Sequence, residues 1–348
     1  MKQVSPGGQL LRSSVCLIIV GLMLSALPCQ AGESGSGVLT LSEGIRIATD
    51  QNRLVRMAKF EREGAFADTL VARSRLLPTV SGSVSQTFLA YRPGVFINST
   101  AVPTADRSSF AFGLSVHQTI YDFGANRSVY DASQASLQAR EIDIARIRNL
   151  VALDFIIAYC DLLEAEKMVT VVQRECEALE SHLAVARSLY EEGAITKNDL
   201  LQAEVRLSDA KQRLLTQSNL RHLTASRINT ILARPLAEKV MVQDISGDVK
   251  QDADLEGAWA AAEQQRTELG IIDRELRIVD LQETAKKAEF YPNIFGEGGY
   301  SFIENPFQVN EDNWSLVFGL NVSLYSGGRT KAEVMKLRYR REQLQEER

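Results

Sequence analysis

Alternation with a period of two marks four stretches of this chain as strands with one apolar and one polar face. Over 109–122, Phe110, Phe112, Leu114, Val116 and Ile120 fall on one side, and Ser109, Ser115, His117 and Thr119 on the other. Over 313–325, Trp314, Leu316, Phe318, Leu320, Val322 and Leu324 oppose Asn313, Ser315, Asn321 and Ser323. The stretch 79–91 sets Val80, Val84 and Phe88 against Thr79, Ser81, Ser83, Ser85 and Thr87. The fourth, 293–303, contains Gly296, Gly298 and Gly299, read as relieving crowding or permitting curvature.

Between these strands the period changes to that of a helix. Residues 125–192 contain no Gly or Pro, which predicts a helix about 100 Å long. A second uninterrupted stretch reaches Arg234. Gly193 suits a left-handed helix end, and Thr196 with Asp199 three residues on suits the start of the next helix. The expected arrangement is an antiparallel hairpin of helices 125–192 and 199–234 joined by a tip at 193–199. The returning helix carries a seam of Leu200, Leu207, Leu214 and Ile228 beside Ala203, Ala210 and Ile231, interrupted by Gln217, Arg221 and Thr224.

The pattern occurs twice. Leu41 and Leu255 each open an amphipathic helix, Pro78 and Pro292 each close it, and a strand follows each proline. Ile120-Tyr121-Asp122-Phe123-Gly124 and Leu324-Tyr325-Ser326-Gly327-Gly328 end the two strand pairs. The expected division is a first repeat at 39–253, including a connector at 235–253, and a second at 254–348. The second reaches its long helix only near Arg329, so it is expected to be incomplete at its C-terminal side.

Composition sharpens this picture. Sixteen of the 24 aromatics lie in 79–123 and 290–325, so the rings concentrate in and around the strands. Strands of this length, apolar on one face and Ser/Thr/Asn on the other, fit a membrane barrel with a wet lumen. A soluble sandwich with one solvated face shows the same alternation, and the strands alone leave both open. A net charge of -5 gives no support to nucleic-acid binding. Val15–Leu27 has the proportions of a signal-peptide core, with Cys29 and Ala31 placed for cleavage before Gly32. A signal peptide over 1–31 and a flexible Gly/Ser-rich segment over 32–38 are expected. Lipid attachment at Cys29 is an alternative that Pro28 disfavours. Cys160 and Cys176 lie 16 residues apart in one predicted helix, about 24 Å, so they cannot pair within it. His117, His182 and His222 share no motif, and the sequence carries no nucleophile, phosphate-loop or metal signature. No enzyme, cofactor or metal site is expected.

Taken together, several phrases resemble the TolC family of outer-membrane efflux proteins. They are Leu39-Thr40-Leu41-Ser42-Glu43-Gly44, Leu76-Leu77-Pro78, Gln118–Gly124 and, above all, the tip Glu192–Glu204 with its Gly-x-x-Thr-x-x-Asp-Leu order. The resemblance implies a membrane α+β fold. Each subunit of a homotrimer would give four strands to one 12-stranded outer-membrane β-barrel, and coiled-coil helical hairpins would continue it as a periplasmic tunnel. It implies the outer membrane of a Gram-negative bacterium, projecting into the periplasm, and an efflux or type I secretion role. Its implied partners are a periplasmic adaptor and an inner-membrane transporter of RND, ABC or MFS type. Gly193, Thr196, Asp199 and Leu200 match the tip where adaptor docking is expected; their plain reading is the turn and cap of a hairpin. Phe110, Phe112, Leu114, Val116, Trp314, Leu316, Phe318 and Leu320 would face lipid; Ser115, His117, Thr119, Asn321 and Ser323 would face the lumen. Alternatives are a periplasmic adaptor with a helical hairpin, a truncated channel without function, or a periplasmic enzyme with a helical insertion.

Overall fold

The computed structural model describes residues 38–245 and 254–348. The expected leader, Cys29 and the connector residues 246–253 lie outside the described residues. Val38–Arg348 forms one compact unit.

Two helices stand where one was expected before the first strand: α1 (Leu41–Gln51) and α2 (Arg53–Ser74). The break is Asn52, whose backbone leaves the helical region at φ -57° and ψ 141°. Its side-chain oxygen accepts from the Leu54 N–H at 2.8 Å and caps α2, while its amide nitrogen donates to the Ile231 carbonyl at 2.8 Å. The backbone of this one residue thus ends a helix, while its side chain starts the next and fastens the break to the end of a third. Strands β1 (Thr79–Phe88), β2 (Gly94–Ile97), β3 (Thr100–Pro103) and β4 (Ser108–Tyr121) follow. The short β2–β3 hairpin was not anticipated, and β1 ends at Phe88 where a strand to residue 91 was expected.

Helix α3 (Ala125–Glu191) runs directly from β4, about 100 Å in length, and α4 (Lys197–Ile231) returns along it. After these come α5 (Leu255–Gln265), α6 (Thr267–Ala288), β5 (Asn293–Ile303), β6 (Asp312–Asn321) and α7 (Arg329–Glu347). Helices α1, α2 and strand β1 begin 214 residues before α5, α6 and β5 respectively, and the break at Asn52 recurs at Arg266 with the same spacing. The corners into α3 and α7 also match. Phe123 and Gly124 have φ of 54° and 84°, and Gly327 and Gly328 have 63° and 82°. At Phe123 that left-handed conformation costs on the order of 1–2 kcal/mol; its ring stacks on Tyr291 at 4.8 Å between centroids.

Among the described residues no helix is long and apolar enough to cross a membrane. The helical body is held by two small cores. In the larger, Phe155, Tyr159 and Leu162 of α3 are fully buried among Ala48, Val55, Ile228 and Leu232. The Tyr159 hydroxyl lies 2.6 Å from the Gln243 carbonyl and 3.0 Å from that of Leu39, and accepts from the Gln243 N–H at 3.0 Å. It thereby closes the parallel bridge between Leu39 and Val242. Burial pushes this phenol above its usual range. In the smaller core, Val172 and Cys176 of α3 meet Ala210 of α4. Cys160 is exposed and Cys176 buried, both as free thiols. Outside the cores, α3 and α4 are laced by surface ion pairs such as Arg213–Glu175 at 2.6 Å and Lys211–Glu180 at 2.8 Å. Each such pair contributes only about 0–1 kcal/mol.

Helix α1 approaches α3 through Gly44, where a β-carbon would lie 2.0 Å from Phe155 Cζ. An exposed helical Gly→Ala change ordinarily stabilises by about 1 kcal/mol. At Gly44 the overpacking cost of about 1–3 kcal/mol reverses the sign. Gly64 in α2 has nothing within 4 Å and serves as the control. Thermal unfolding followed by the helical signal should give a lower midpoint for Gly44→Ala and an equal or higher one for Gly64→Ala.

Candidate functional site

The four long strands form one antiparallel sheet in the order β1-β4-β5-β6. In such a sheet, paired residues share a face, so the register sorts every side chain. Val80, Val84 and Phe112 share a face with Phe110, Leu114 and Val116 on β4. Pairing carries the same face through Tyr300 and Phe302 to Trp314, Leu316, Phe318 and Leu320 on β6. The opposite face carries Ser81, Ser83, Ser115, His117, Ser301, Asn313, Ser315 and Asn321. Ser81 and Ser115 hydrogen-bond through their hydroxyls at 2.7 Å.

Three details depart from simple alternation. A register shift between Thr119 and Tyr121 inserts Ile120 as an extra residue. Thr119 still opposes Phe295, on the polar face, but Tyr121 is returned to the apolar face opposite Ile294. There Tyr121 lies 4.8 Å from Phe123, which stacks on Tyr291, so three rings gather at the helical end of the sheet. Second, Phe295 lies on the polar face, its ring 5.4 Å from that of His117 and covering Gly319. A β-carbon at Gly319 would sit 2.3 Å from that ring, so only glycine leaves room for it. Third, β6 ends at Asn321, its last partner being Asn293. Pro292 precedes that partner and has no N–H to extend the ladder. The expectation of Ser323 as a strand residue is therefore corrected. It lines an open niche of about 270 Å³ at the corner, with Asp122, Asn126, Glu289 and Arg329.

Both faces of the sheet are open, and so are both edges. Phe88 is 77% exposed, Trp314 75% and Phe318 70%, and among the described residues β1 and β6 have no outer partner strand.

At the far end of the hairpin, Gly193 adopts φ 78° and ends α3 with two backbone bonds. Ala194 N–H donates to Leu189 at 2.8 Å and Gly193 N–H to Tyr190 at 3.0 Å, the Schellman arrangement. Thr196 and Asp199 then cap each other. The Asp199 N–H donates to Thr196 Oγ1 at 3.3 Å, and the Thr196 N–H to Asp199 Oδ2 at 2.9 Å. The Thr196 hydroxyl donates to the same carboxylate at 2.7 Å. These bonds, the side-chain one first, hold the Asp199 carboxyl below its usual range. Leu200 is half-buried beside them. Glu283 of α6, which no sequence motif marks, holds a cluster of cations. It is buried and clamped by Lys287 at 2.7 Å and by Arg338 and Arg341 of α7 at 3.0 and 3.4 Å. Lys287 first, then Arg338, lowers its pKa.

The model of the family described as "Outer membrane efflux protein" matches residues 44–234, more than half of the chain. The chain is similar to the proteases secretion protein PrtF of Dickeya chrysanthemi, 20% identical over 93% of this chain and 70% of PrtF. It is also similar to the multidrug resistance outer membrane protein MdtQ of Escherichia coli O157:H7, 21% identical over 64% of this chain. That match spans 47% of MdtQ, about half its length. Among solved structures, the Campylobacter jejuni CmeC outer membrane channel matches 87% of this chain and 66% of its own, with a TM-score of 0.75 at 17% identity. That likeness is one of fold.

Asp199 has a lowered folded-state pKa, so the stabilisation it lends the tip is present above the unfolded value of about 3.9 and disappears as pH falls through the folded value. Amide exchange at residues 196–200, normalised to intrinsic rates, should be faster in Asp199→Asn than in wild type at pH 7. The difference should vanish at strongly acid pH. A difference that persists there would place the effect elsewhere than in the carboxylate.

Proposed function

Because the chain belongs to the outer membrane efflux protein family, we propose that it is the outer-membrane channel of a tripartite efflux or type I secretion system. The observation that carries this reading is the sheet with one apolar face, one hydroxyl- and amide-rich face and two unpaired edges. Strand directions alternate across it, so β6 of one copy meets β1 of the next in antiparallel sense. Three copies would close a barrel of about 12 strands with no direction mismatch, within the size range of outer-membrane barrels. The apolar face would then lie against lipid, with Tyr121, Phe123 and Tyr291 at one interface as an aromatic girdle. The Ser/Thr/Asn face would line a water-filled passage.

Helices α3 and α4 would extend the barrel into the periplasm as a tunnel wall, with the tip at Gly193–Leu200 about 100 Å from the membrane. We assign this tip to docking of a periplasmic adaptor, itself joined to an inner-membrane transporter of RND, ABC or MFS type. Gly193, Thr196 and Asp199 build a rigid turn, and Leu200 gives it an apolar contact. The protein performs no chemistry on its cargo; it supplies a closed path, and its inner-membrane partner supplies the energy.

Replacing Leu114, Phe318 or Leu320 by Arg should cost roughly 2–4 kcal/mol per copy at mid-membrane. The amount of assembled protein in outer membranes should fall severalfold, while Ser115→Arg and Asn321→Arg assemble near wild-type yield. Equal loss from both sets would contradict the assignment of faces. Leu200→Asp should leave assembly intact and abolish cross-linking to the adaptor; unchanged cross-linking would remove the tip from the docking surface.

A further inference from the structure

The polar face of the sheet is almost without charge. Among the described residues, β1, β4, β5 and β6 place Ser, Thr, Asn, Gly, Ala, Val, Ile and Phe there, with His117 and one carboxylate, Glu297. Glu297 sits mid-strand in β5, directly opposite His117 on β4 and Val317 on β6. It is exposed, and among the described residues no ion pair or hydrogen bond engages it. Its same-face neighbours along the strand are Phe295, whose ring covers Gly319, and Gly299 beside Ser315. Within the four strands no Arg or Lys shares its face, so this carboxylate stands alone on a neutral wall. The other acidic residues near the sheet lie at its two ends, Glu304, Glu311 and Asp312 at the outer end and Asp122 and Glu289 at the helical corner.

We propose that Glu297 sets the charge preference of the barrel, as a ring of three carboxylates that favours cations and cationic cargo over anions. This inference rests on the assignment of the polar face to the lumen made above. Rings of Asp or Glu select cations by their field on passing ions. At about 0.1 M salt that field reaches on the order of 10 Å from each carboxylate. Within the four strands no arginine or lysine shares that face to oppose the field.

The test is the ion selectivity of detergent-extracted protein in planar bilayers of neutral phospholipid, under a roughly tenfold KCl gradient below 0.1 M at alkaline pH. Wild type should favour potassium over chloride, Glu297→Gln should lower that permeability ratio about twofold or more, and Glu297→Lys should lower it further. The contrast should fade in molar salt as screening removes the field. Pores of wild-type selectivity in both variants would overturn the role of Glu297 and leave the channel itself standing. Wild-type protein that assembles but forms no pores would overturn the lumen assignment and this inference together.

Discussion

A strand edge placed in hydrocarbon leaves a row of N–H and C=O groups without partners, each costing several kcal/mol. Among the described residues the four-stranded sheet has two unpaired edges, on β1 and β6, and an apolar face with exposed Phe, Trp, Leu and Val side chains. The proposed channel would satisfy both at once: further copies would pair edge to edge until the sheet closed, and the apolar face would turn to lipid. The remaining architecture follows from keeping that sheet in register. The bulge at Ile120 returns Tyr121 to the apolar side, and Gly319 admits Phe295 on the other.

The corners link this sheet to the helices. Two consecutive left-handed residues turn each second strand into a long helix, with glycine in three of the four positions. Phe123 is the exception, and its stack on Tyr291 ties the corner of the first unit to the turn that opens β5 in the second. Asn52 and Tyr159 do comparable work in the helical body, each joining segments distant in sequence through buried hydrogen bonds. The distal part of the α3–α4 hairpin buries only a thin seam, with Val172 and Cys176 of α3 against Ala210 of α4, and the hairpin leaves larger side chains such as Leu153, Val171, Val205 and Leu223 exposed.

Much of this was legible because strands and helices impose different periods on the same alphabet. The faces of β4 and β6 followed from alternation alone, and the tip from one glycine and a Thr/Asp cap. What escaped notice depends on partners far away in the chain. The bulge at Ile120 and the end of β6 before Ser323 are set by where β5 begins, and β5 is aligned only by pairing. The break at Asn52 is stabilised by Ile231, 179 residues on, although its counterpart at Arg266 offered a signal in the repeat. Glu297 sits among Gly296, Gly298 and Gly299, a run whose composition points to curvature and not to charge. Its solitude is a property of the assembled face.

The central claim is that β1 and β6 find each other in separate copies. The direct measurement is the oligomeric mass of the protein extracted by detergent from isolated outer membranes, corrected for bound detergent. A mass of three subunits, retained after the membranes are washed with carbonate, is the result this account predicts. A monomer released by the wash would contradict it, because both sheet edges would then be stable without a partner.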